Sequence, residues 1–246
     1  MINSITLQIL NFFDYFYKRK ILSFMKSLKL DNIETIFDIG AHNGETIYFF
    51  LKNFNVNQIY AFEASEHNFQ KLEENVNSYK NKFFNSKINI ENIALGDKIK
   101  KKRFKQFSES SSSTFSDIDI NSPYFKKKFR FLNKNENNNF FYEKNLKLVP
   151  LSEYLISNNI NNIDILKIDT EGFELEVLNG LKEDIKKVDL IFFEHHYDNM
   201  ILKNYKYCDI NNLLKKNNFQ KIYKLKMPFR KTFEYIYRNK ENIKIK

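Results

Sequence analysis

The sequence is poor in cysteine, glycine, proline and tryptophan, and these shortages narrow what the protein can be. Its 246 residues include one cysteine, five glycines, three prolines and no tryptophan. The single cysteine, Cys208, excludes an internal disulfide and a metal site made of several cysteines, and it favours a reducing, cytoplasmic location. Average composition contains about 7% glycine, so each remaining glycine marks a position where a tight turn or a close approach requires one.

Long hydrophobic runs are also missing. No apolar run approaches the roughly 20 residues needed to span a bilayer, and the N-terminus lacks the pattern of a signal peptide. We predict instead an N-terminal helical cap over residues 1–33, either packed on the domain or binding weakly to a membrane surface or a partner. The apolar positions that recur there at helical spacing are Ile5, Ile9, Phe12, Phe16, Ile21, Met25 and Leu28.

Positive charge is abundant but unevenly spread. The formal net charge is +10, and residues 98–147 hold 13 basic against 5 acidic side chains, a net charge of +8. We predict that this basic insertion is a structureless segment, either a functional loop or lid or a disordered stretch. Its field would attract an anionic partner, although biased codon composition also explains part of the charge. Its serines, Ser108–Ser113, fit either a flexible linker or a lid that binds the acceptor or cofactor.

Strand-like and helix-like segments alternate over the rest of the chain. Repeated strand–helix units predict a parallel sheet with helices on both faces, here within a domain over residues 34–246. Asp209 is the expected N-cap of the last helix. A C-terminal hairpin is expected from residues 220–227 and 232–238. The predicted strands cover residues 35–40, 59–65, 88–97, 162–170 and 188–196.

The end of the first strand has the pattern of a nucleotide-binding loop. Gly40 and Gly44 in FDIGAHNGET bring the backbone close to a ligand, and the helix that follows offers amide groups to an anion. Glu63 ends the second strand, 19 residues after Gly44. An acidic residue at about this distance accepts both hydrogen bonds of a ribose diol, so the pairing favours an adenosine-type cofactor.

Six motifs together resemble the FkbM family of S-adenosylmethionine-dependent methyltransferases. In order they are FDIGAHNGET, YAFEAS, NIALGD, LSEYL, LKIDTEGFELEVLNG and LIFFEHH, and they cover about residues 34–196. The resemblance implies a Rossmann-like class I methyltransferase with a seven-stranded, mostly parallel sheet and a reversed final strand. It also implies S-adenosyl-L-methionine as cofactor, held by Asp38, Gly40, Ala41, Asn43 and Gly44 around its methionine end, Glu63 at its ribose, and Leu95 and Asp97 at its adenine.

The acceptor chemistry is expected at the ends of the fourth and fifth strands. Asp169, Glu171 and His195 are the candidate catalytic residues, since a hydroxyl acceptor needs a base. Asp169, Glu194 and His195 could alternatively hold a divalent metal, which we do not favour. The resemblance implies O-methylation of a sugar, glycan or secondary metabolite. The basic insertion leaves an anionic or lipid-linked acceptor open.

Other functions fit less well. The fourth strand lacks the prolines typical of base-amino methyltransferases, and the insertion contains no known nucleic-acid module, so nucleic acid is disfavoured as acceptor. A nicotinamide-dependent oxidoreductase would need G-x-G-x-x-G, whereas the sequence has G-x-x-x-G. A non-catalytic partner protein with a cofactor fold stays open as an alternative.

Overall fold

The computed structural model describes residues 4–30, 32–107, 112–132 and 140–241, which form twelve strands and seven α-helices. The strands are β1 (Asn32–Ile39), β2 (Asn55–Phe62), β3 (Lys87–Glu91), β4 (Ala94–Gly96), β5 (Lys100–Phe107), β6 (Asp117–Ile118), β7 (Phe141–Pro150), β8 (Ile163–Ile168), β9 (Val188–His196), β10 (Ile201–Leu202), β11 (Phe219–Lys226) and β12 (Thr232–Asn239). The helices are α1 (Ser4–Ser27), α2 (Glu45–Asn53), α3 (Glu66–Lys82), α4 (Pro123–Leu132), α5 (Leu151–Ser157), α6 (Glu174–Asn179) and α7 (Tyr207–Lys216). A short 3-10 helix follows α6 at Lys182–Lys187.

Seven strands form the central sheet in the order β11-β12-β9-β8-β1-β2-β3. The neighbours from β9 to β3 pair in parallel, whereas β12 pairs antiparallel to both β9 and β11. This arrangement confirms the predicted α/β fold with a reversed final strand and a C-terminal hairpin. It also brings the carboxyl ends of the parallel strands to one edge, where ligands bind in open α/β sheets.

Alternating side chains divide the sheet between two hydrophobic cores. Ile36, Ile165 and Leu190 face α1, α2 and α3, whereas their neighbours in sequence face α5, α6 and α7. Successive side chains of a strand point to opposite faces, so both faces of these central strands are covered. The same alternation decides which polar residues at the strand ends can meet.

The basic insertion is the main correction to the predicted architecture. Its described residues are largely ordered, since β5 pairs antiparallel with β7 and β4 pairs parallel with β7 in a separate three-stranded sheet. The predicted third strand, residues 88–97, is therefore two strands, β3 in the central sheet and β4 in this smaller one. Residues 108–111 lie outside the described residues. Of the segment predicted to be a flexible linker or a lid, Ser108–Ser113, the structure therefore describes only Ser112 and Ser113.

The boundaries at both ends of the chain also differ from the prediction. A single helix, α1, covers most of the predicted cap, and β1 already begins at Asn32. Helix α7 begins at Tyr207, and Asp209 caps it from inside its first turn by accepting the Lys206 backbone N–H at 2.7 Å. No helix among the described residues is long and apolar enough to cross a membrane.

Candidate active site

A cavity of about 590 Å³ opens at the carboxyl edge of the central sheet. This volume lies within the roughly 300–1,000 Å³ typical of small-molecule sites. Strand ends form its floor, and α1 and the turn between β11 and β12 cover one side. The residues singled out from the sequence that line it are Gly40, Ala41, Asn43, Glu63, Leu95, Asp169, Glu171 and Glu194. Those that do not line it are Asp38, Gly44, Asp97 and His195.

The loop after β1 lies directly against the end of β8. Gly40 has φ +81°, and a Cβ on it would lie 1.9 Å from the carbonyl oxygen of Asp169. Only glycine therefore lets the two strand ends approach this closely. The close approach serves strand packing, whereas the sequence had suggested that a ligand required it.

Most backbone amides of this loop are already hydrogen-bonded within the protein. Gly40 and Ala41 donate to the Phe62 carbonyl at 2.8 and 3.0 Å, and Gly44 donates to Ala41 at 2.8 Å. The anion-binding role was predicted for the amides at the start of the following helix, and the first turn of α2, whose Glu45 and Thr46 line the cavity, remains the candidate for it. The first amides of a helix have no partner within the helix.

Glu63 is fixed at the end of β2 by two backbone amides. Its carboxylate accepts the N–H of His42 and the N–H of Ser65, each at 2.8 Å. Burial raises the pKa of Glu63 to about 7, although both hydrogen bonds oppose this rise. Asn68 also hydrogen-bonds this carboxylate, and a carboxylate has about four lone-pair sites, so Glu63 can still accept from a ribose hydroxyl.

Asp38 and Asn43 carry buried polar atoms that the protein does not satisfy. Both carboxylate oxygens of Asp38 and the side-chain oxygen of Asn43 lack a hydrogen-bond partner among the described residues. Burial raises the pKa of Asp38 to about 7, against the attraction of Lys167. Buried polar atoms normally find partners, so these acceptors fit a ligand that supplies hydrogen-bond donors.

A row of ionisable side chains crosses the sheet on the face that α1 covers. Asp38 is the register partner of Lys167 across β1 and β8, and Glu194 is the partner of Glu234 across β9 and β12. All four side chains are buried. Burial raises the pKa of Glu234 to about 7 and raises the pKa of Glu194 well above its ordinary value. Repulsion from the other buried carboxylates adds to the effect of burial on both groups.

Lys167 is the residue that the sequence reading missed. Its ammonium lies 3.3 Å from Asp169 and 3.9 Å from Glu194, and both carboxylates, with others nearby, outweigh burial and raise the pKa of Lys167. A lysine inside the apolar strand ILKID is unusual, and buried lysines need partners. That single charge in a buried strand is the signal that could have found it.

Asp169 and Glu171 flank a tightly held turn after β8. The buried Glu174 carboxylate accepts the backbone N–H of Gly172 at 2.9 Å and also accepts the Tyr205 hydroxyl. Thr114, from the segment after β5, donates to the Glu171 carbonyl at 2.7 Å. The turn is therefore fixed from both sides, which holds two carboxylates at the cavity wall.

The pKa values of the two carboxyl groups in this turn shift in opposite directions. Burial would raise the pKa of Asp169, but Lys167 and His196 hold it below its ordinary value. Burial raises the pKa of Glu171, although His196, whose Nε2 lies 3.4 Å from the carboxylate, opposes the rise. Asp169 is therefore ionised at neutral pH, whereas Glu171 holds a proton more readily.

His195 lies outside the cavity, which does not support the predicted role as a base. It projects from the opposite face of β9 to Glu194, among the rings of Tyr197, Tyr205 and Tyr207 at 4.8 to 5.9 Å. Burial lowers the pKa of His195 to about 3. Its neighbour His196 contacts Glu171 instead, as the alternation of side chains along a strand requires.

The same alternation gives no support to the alternative metal site. Glu194 and His195 point to opposite faces of β9, so they cannot converge with Asp169 on one ion. The Lys167 ammonium occupies the position between the two carboxylates. Among the described residues, no group of three or more histidine, cysteine or acidic side chains could hold a metal.

Asp97 and the basic insertion also depart from their expected positions. Asp97 pairs with Lys100 at 2.7 Å and does not line the cavity, whereas Leu95 and the overlooked Ile93 do. The described lysines and arginines of the insertion do not line the cavity either; its wall there is Phe104, Ser113 and Phe115. The cavity wall contains more carboxylates than cations, so the insertion gives no direct support to an anionic acceptor.

A family model described as the methyltransferase FkbM domain matches residues 38–221 of the chain. No curated protein matches the sequence significantly. Among solved structures, the methyltransferase FkbM from Methylobacillus flagellatus KT is similar, with 16% identity and a TM-score of 0.52 over 83% of this chain and 44% of that one. The chain thus spans less than half the length of that protein.

Two further structures are more distant. Magnesium protoporphyrin IX methyltransferase from Synechocystis PCC 6803 is 8% identical, with a TM-score of 0.49 over 97% of this chain and 85% of that one. The TrmK protein of M. capricolum, solved with S-adenosyl-homocysteine, is 14% identical, with a TM-score of 0.46 over 87% and 66%. At 16% identity, the similarity to the M. flagellatus structure supports the fold alone.

Proposed function

The chain belongs to the methyltransferase FkbM family, and we propose that it transfers a methyl group from S-adenosyl-L-methionine to a hydroxyl of a sugar, glycan or secondary metabolite. One observation carries the proposal. A single cavity has the fixed carboxylate of Glu63 at the end of β2 and the unsatisfied side-chain oxygen of Asn43 after β1, and two carboxylates whose pKa values shift in opposite directions after β8. The first group suits a cofactor, and the second suits a nucleophile that must lose a proton.

The residues at the ends of β1 and β2 fit this cofactor. Glu63 would accept hydrogen bonds from the ribose hydroxyls, and the unsatisfied oxygens of Asp38 and Asn43 suit the ammonium of the methionine end. Ile93 and Leu95 give an apolar wall for the adenine. Asp38, Asp97 and Gly44 do not line the cavity. We assign no direct cofactor contact to Asp97, which pairs with Lys100, or to Gly44, whose N–H donates to Ala41, and the contact proposed for Asp38 rests on its two unsatisfied oxygens alone.

Asp169 is the residue that we propose as the base. The bound cofactor supplies an electrophilic methyl group on a positively charged sulfur. Asp169 is ionised at neutral pH and lies against Gly40, where the two halves of the cavity meet. Its carboxylate would orient the acceptor hydroxyl and take its proton, while Lys167 holds the carboxylate in place. Glu171 would bind a second hydroxyl of the acceptor.

Cofactor binding is the direct test. We expect S-adenosylhomocysteine to bind in calorimetry, and Glu63→Ala to weaken its affinity by at least about tenfold, the value of a charge-assisted hydrogen bond. Glu73→Ala, an exposed glutamate on α3, is the matched control and should bind like wild type. Thermal unfolding of each unliganded variant separates a lost contact from a lost fold.

Failure to bind would favour the remaining alternatives. If the wild-type protein bound no S-adenosylhomocysteine at about 100 μM, a non-catalytic partner role would replace the enzymatic one. Binding of a nicotinamide dinucleotide under the same conditions would instead indicate an oxidoreductase. We also propose a reducing compartment such as the cytoplasm, because Cys208 is an exposed free thiol.

A further inference from the structure

An exposed aromatic and basic surface lies beside the cavity mouth. Phe13, Tyr15 and Phe16 of α1 are 42%, 56% and 45% exposed, and Phe229 in the turn between β11 and β12 is 66% exposed. The rings of Phe13 and Phe229 meet edge to face at 4.9 Å, which joins the helix to the turn. We call these four residues, with the exposed cations Lys18, Arg19, Lys20, Lys226 and Lys231, the collar.

The side chains of the collar do not pack in the hydrophobic core. Tyr17, Ile21 and Met25 form the stripe of α1 that packs on the sheet, so the aromatic residues beside them have another reason to be there. Exposed large apolar side chains in one patch mark interaction surfaces more often than scattered ones do. A groove of about 320 Å³ runs between α1 and the turn, lined by Phe13, Phe16 and neighbouring collar residues.

The groove is continuous with the proposed active site. Tyr17, Met227, Pro228 and Phe229 line both the groove and the larger cavity. A molecule held at the collar therefore lies at the entrance to the catalytic residues. The collar suits delivery of an acceptor that is attached to a larger assembly.

The positive charge of the collar indicates which kind of partner binds there. From residue 4 to residue 27, α1 contains four basic residues and one acidic residue, and KMPFRK at 226–231 adds three basic residues and no acidic one. Interfacial helices combine basic residues with aromatic anchors in this way, and tyrosine and phenylalanine sit well at the headgroup level. An anionic bilayer is complementary both to the charge and to the rings.

We propose that the collar docks on an anionic lipid bilayer and places the cavity mouth at the headgroup level, where a lipid-linked acceptor can enter. The docking itself stands apart from the proposed methyl transfer, whereas the entry of an acceptor rests on it. The bilayer attracts the cations, and Phe16 and Phe229 insert among the headgroups. The cavity then receives the hydroxyl-bearing head of the acceptor from the membrane side.

The absence of tryptophan allows a clean test of docking. Because the chain contains no tryptophan, F16W and F229W each add a single fluorescent probe inside the collar, and F84W adds one at an exposed phenylalanine far along the chain, between α3 and β3. We expect a blue shift of the first two probes with vesicles of phosphatidylcholine and phosphatidylglycerol, and none for F84W. Pure phosphatidylcholine vesicles should produce little shift, and 0.5 M salt should reduce it, since salt screens charge.

Co-sedimentation with the same vesicles measures the contribution of charge. Each basic residue near an anionic surface contributes roughly a fivefold factor in affinity, so Arg19→Glu with Lys20→Glu should weaken binding by at least about 20-fold. Lys71→Glu with Lys80→Glu, two exposed lysines on α3, is the matched control and should bind nearly as wild type does. Neither measurement needs cofactor or turnover, so its result is independent of the proposed activity.

Three results would overturn the proposal. Equal binding by the collar variant and the α3 control would show that total charge, and not the collar, attracts the protein. Equal blue shifts for F84W and F229W would show that the membrane contact lies elsewhere. Sedimentation of a dimer that F229W disrupts, with no vesicle binding, would assign the collar to a second copy of the chain.

Discussion

At the scale of single residues, Lys167 is the centre of the candidate site. Its ammonium is buried among Asp38, Asp169, Glu194 and Glu234, and no other cation is so deeply placed in the described part of the cavity wall. A buried lysine without these partners would lose its proton, and the carboxylates without the lysine would repel one another. Lys167 therefore keeps Asp169 ionised, and the site depends on both.

Replacement of this lysine should destabilise the protein in a pH-dependent way. We expect Lys167→Met to lower the free energy of unfolding by about 3–5 kcal/mol at pH 8, because breaking a buried ion pair leaves charges uncompensated. The loss should be smaller at pH 5.5, where Glu194 and Glu234 take up protons. Urea unfolding at both pH values measures it. Lys187→Met, which breaks a more exposed pair with Asp184, should cost less than about 1 kcal/mol at either pH.

Substitutions of the two carboxylates after β8 should affect different kinetic constants. If Asp169 is the base, Asp169→Asn should lower kcat by about 10²- to 10⁴-fold with cofactor binding intact. Glu171→Gln should mainly raise KM for the acceptor, by about tenfold, because it loses one hydrogen bond. Steady-state kinetics with any acceptor that is turned over distinguishes them. A large loss of kcat in Glu171→Gln, with Asp169→Asn nearly active, would exchange the two roles.

At the scale of elements, the segment between β5 and β6 acts as a strap across the turn after β8. Thr114 donates to the Glu171 carbonyl and Ser116 donates to the Gly172 carbonyl, both at 2.7 Å. Lys105, buried in β5, anchors the segment by pairing with Asp117 at 2.7 Å. The insertion thus contributes hydroxyl groups and ordered strands to the site, in place of a basic field.

Loosening this strap should affect acceptor binding before it affects the fold. We expect Thr114→Val with Ser116→Ala to lower the free energy of unfolding by about 1 kcal/mol per lost hydrogen bond and to raise the acceptor KM several-fold. Ser78→Ala is the control, since its hydroxyl bonds only to a carbonyl of its own helix, α3. Unchanged KM in the double variant, despite the loss of stability, would limit the strap to a structural role.

The elements also show where sequence reasoning succeeds and where it stops. The buried strands were predictable because apolar runs alternate with amphipathic helices, and their polar ends were predictable because strand ends meet at one edge. Strand β5 was missed because its first half, KKKR, alternates exposed and half-buried side chains and carries no apolar run. The covering of the cavity by α1 and the turn after β11 depends on contacts between distant parts of the chain, which no local pattern encodes.

The position of His195 shows a different kind of error. Its residue type and its place at a strand end favoured a catalytic role, yet Glu194 already faced the site. Two adjacent residues of a strand point to opposite faces, so only one of them can reach a given cavity. Applied to FFEHH, that rule groups Glu194 with His196 and separates His195 from both, so the sequence alone could have excluded one site that uses Glu194 and His195 together.

At the scale of the whole molecule, burial of carboxyl groups should make folding depend on pH near neutrality. Asp38, Glu63 and Glu234 each have a pKa of about 7 in the folded protein, against about 4 when unfolded. Below about pH 4 both states hold these protons, and the groups impose no ionisation penalty. As the pH rises towards 7 the unfolded chain ionises freely while the folded protein resists, so stability is lost across this range.

Other groups make opposing contributions to the dependence of the unfolding free energy on pH. Comparing wild type with a variant cancels the contributions that both proteins share. Burial lowers the pKa of His195 from its ordinary value of 6.5 to about 3, so the folded state loses stability as the pH falls below 6.5 and the unfolded chain takes up this proton. The net charge of +10 also grows in acid, which increases repulsion within the folded protein. Both effects are shared by wild type and by Asp38→Asn. The difference in unfolding free energy between them therefore reports Asp38 and the groups coupled to it, chiefly Lys167 and Asp169.

We expect this difference to favour Asp38→Asn increasingly as the pH rises. Each pH unit between about 4 and 7 is worth about 1.4 kcal/mol, so the gain from pH 5 to pH 7 should be about 2–3 kcal/mol, with little further change above pH 8. Urea unfolding of the cofactor-free proteins measures it. If Asp38 also binds the cofactor, the more stable variant should bind S-adenosylhomocysteine more weakly. A variant that gained neither stability nor a pH-dependent difference would mean that Asp38 is solvated or paired in solution, and its assignment to the cofactor would lose its physical basis.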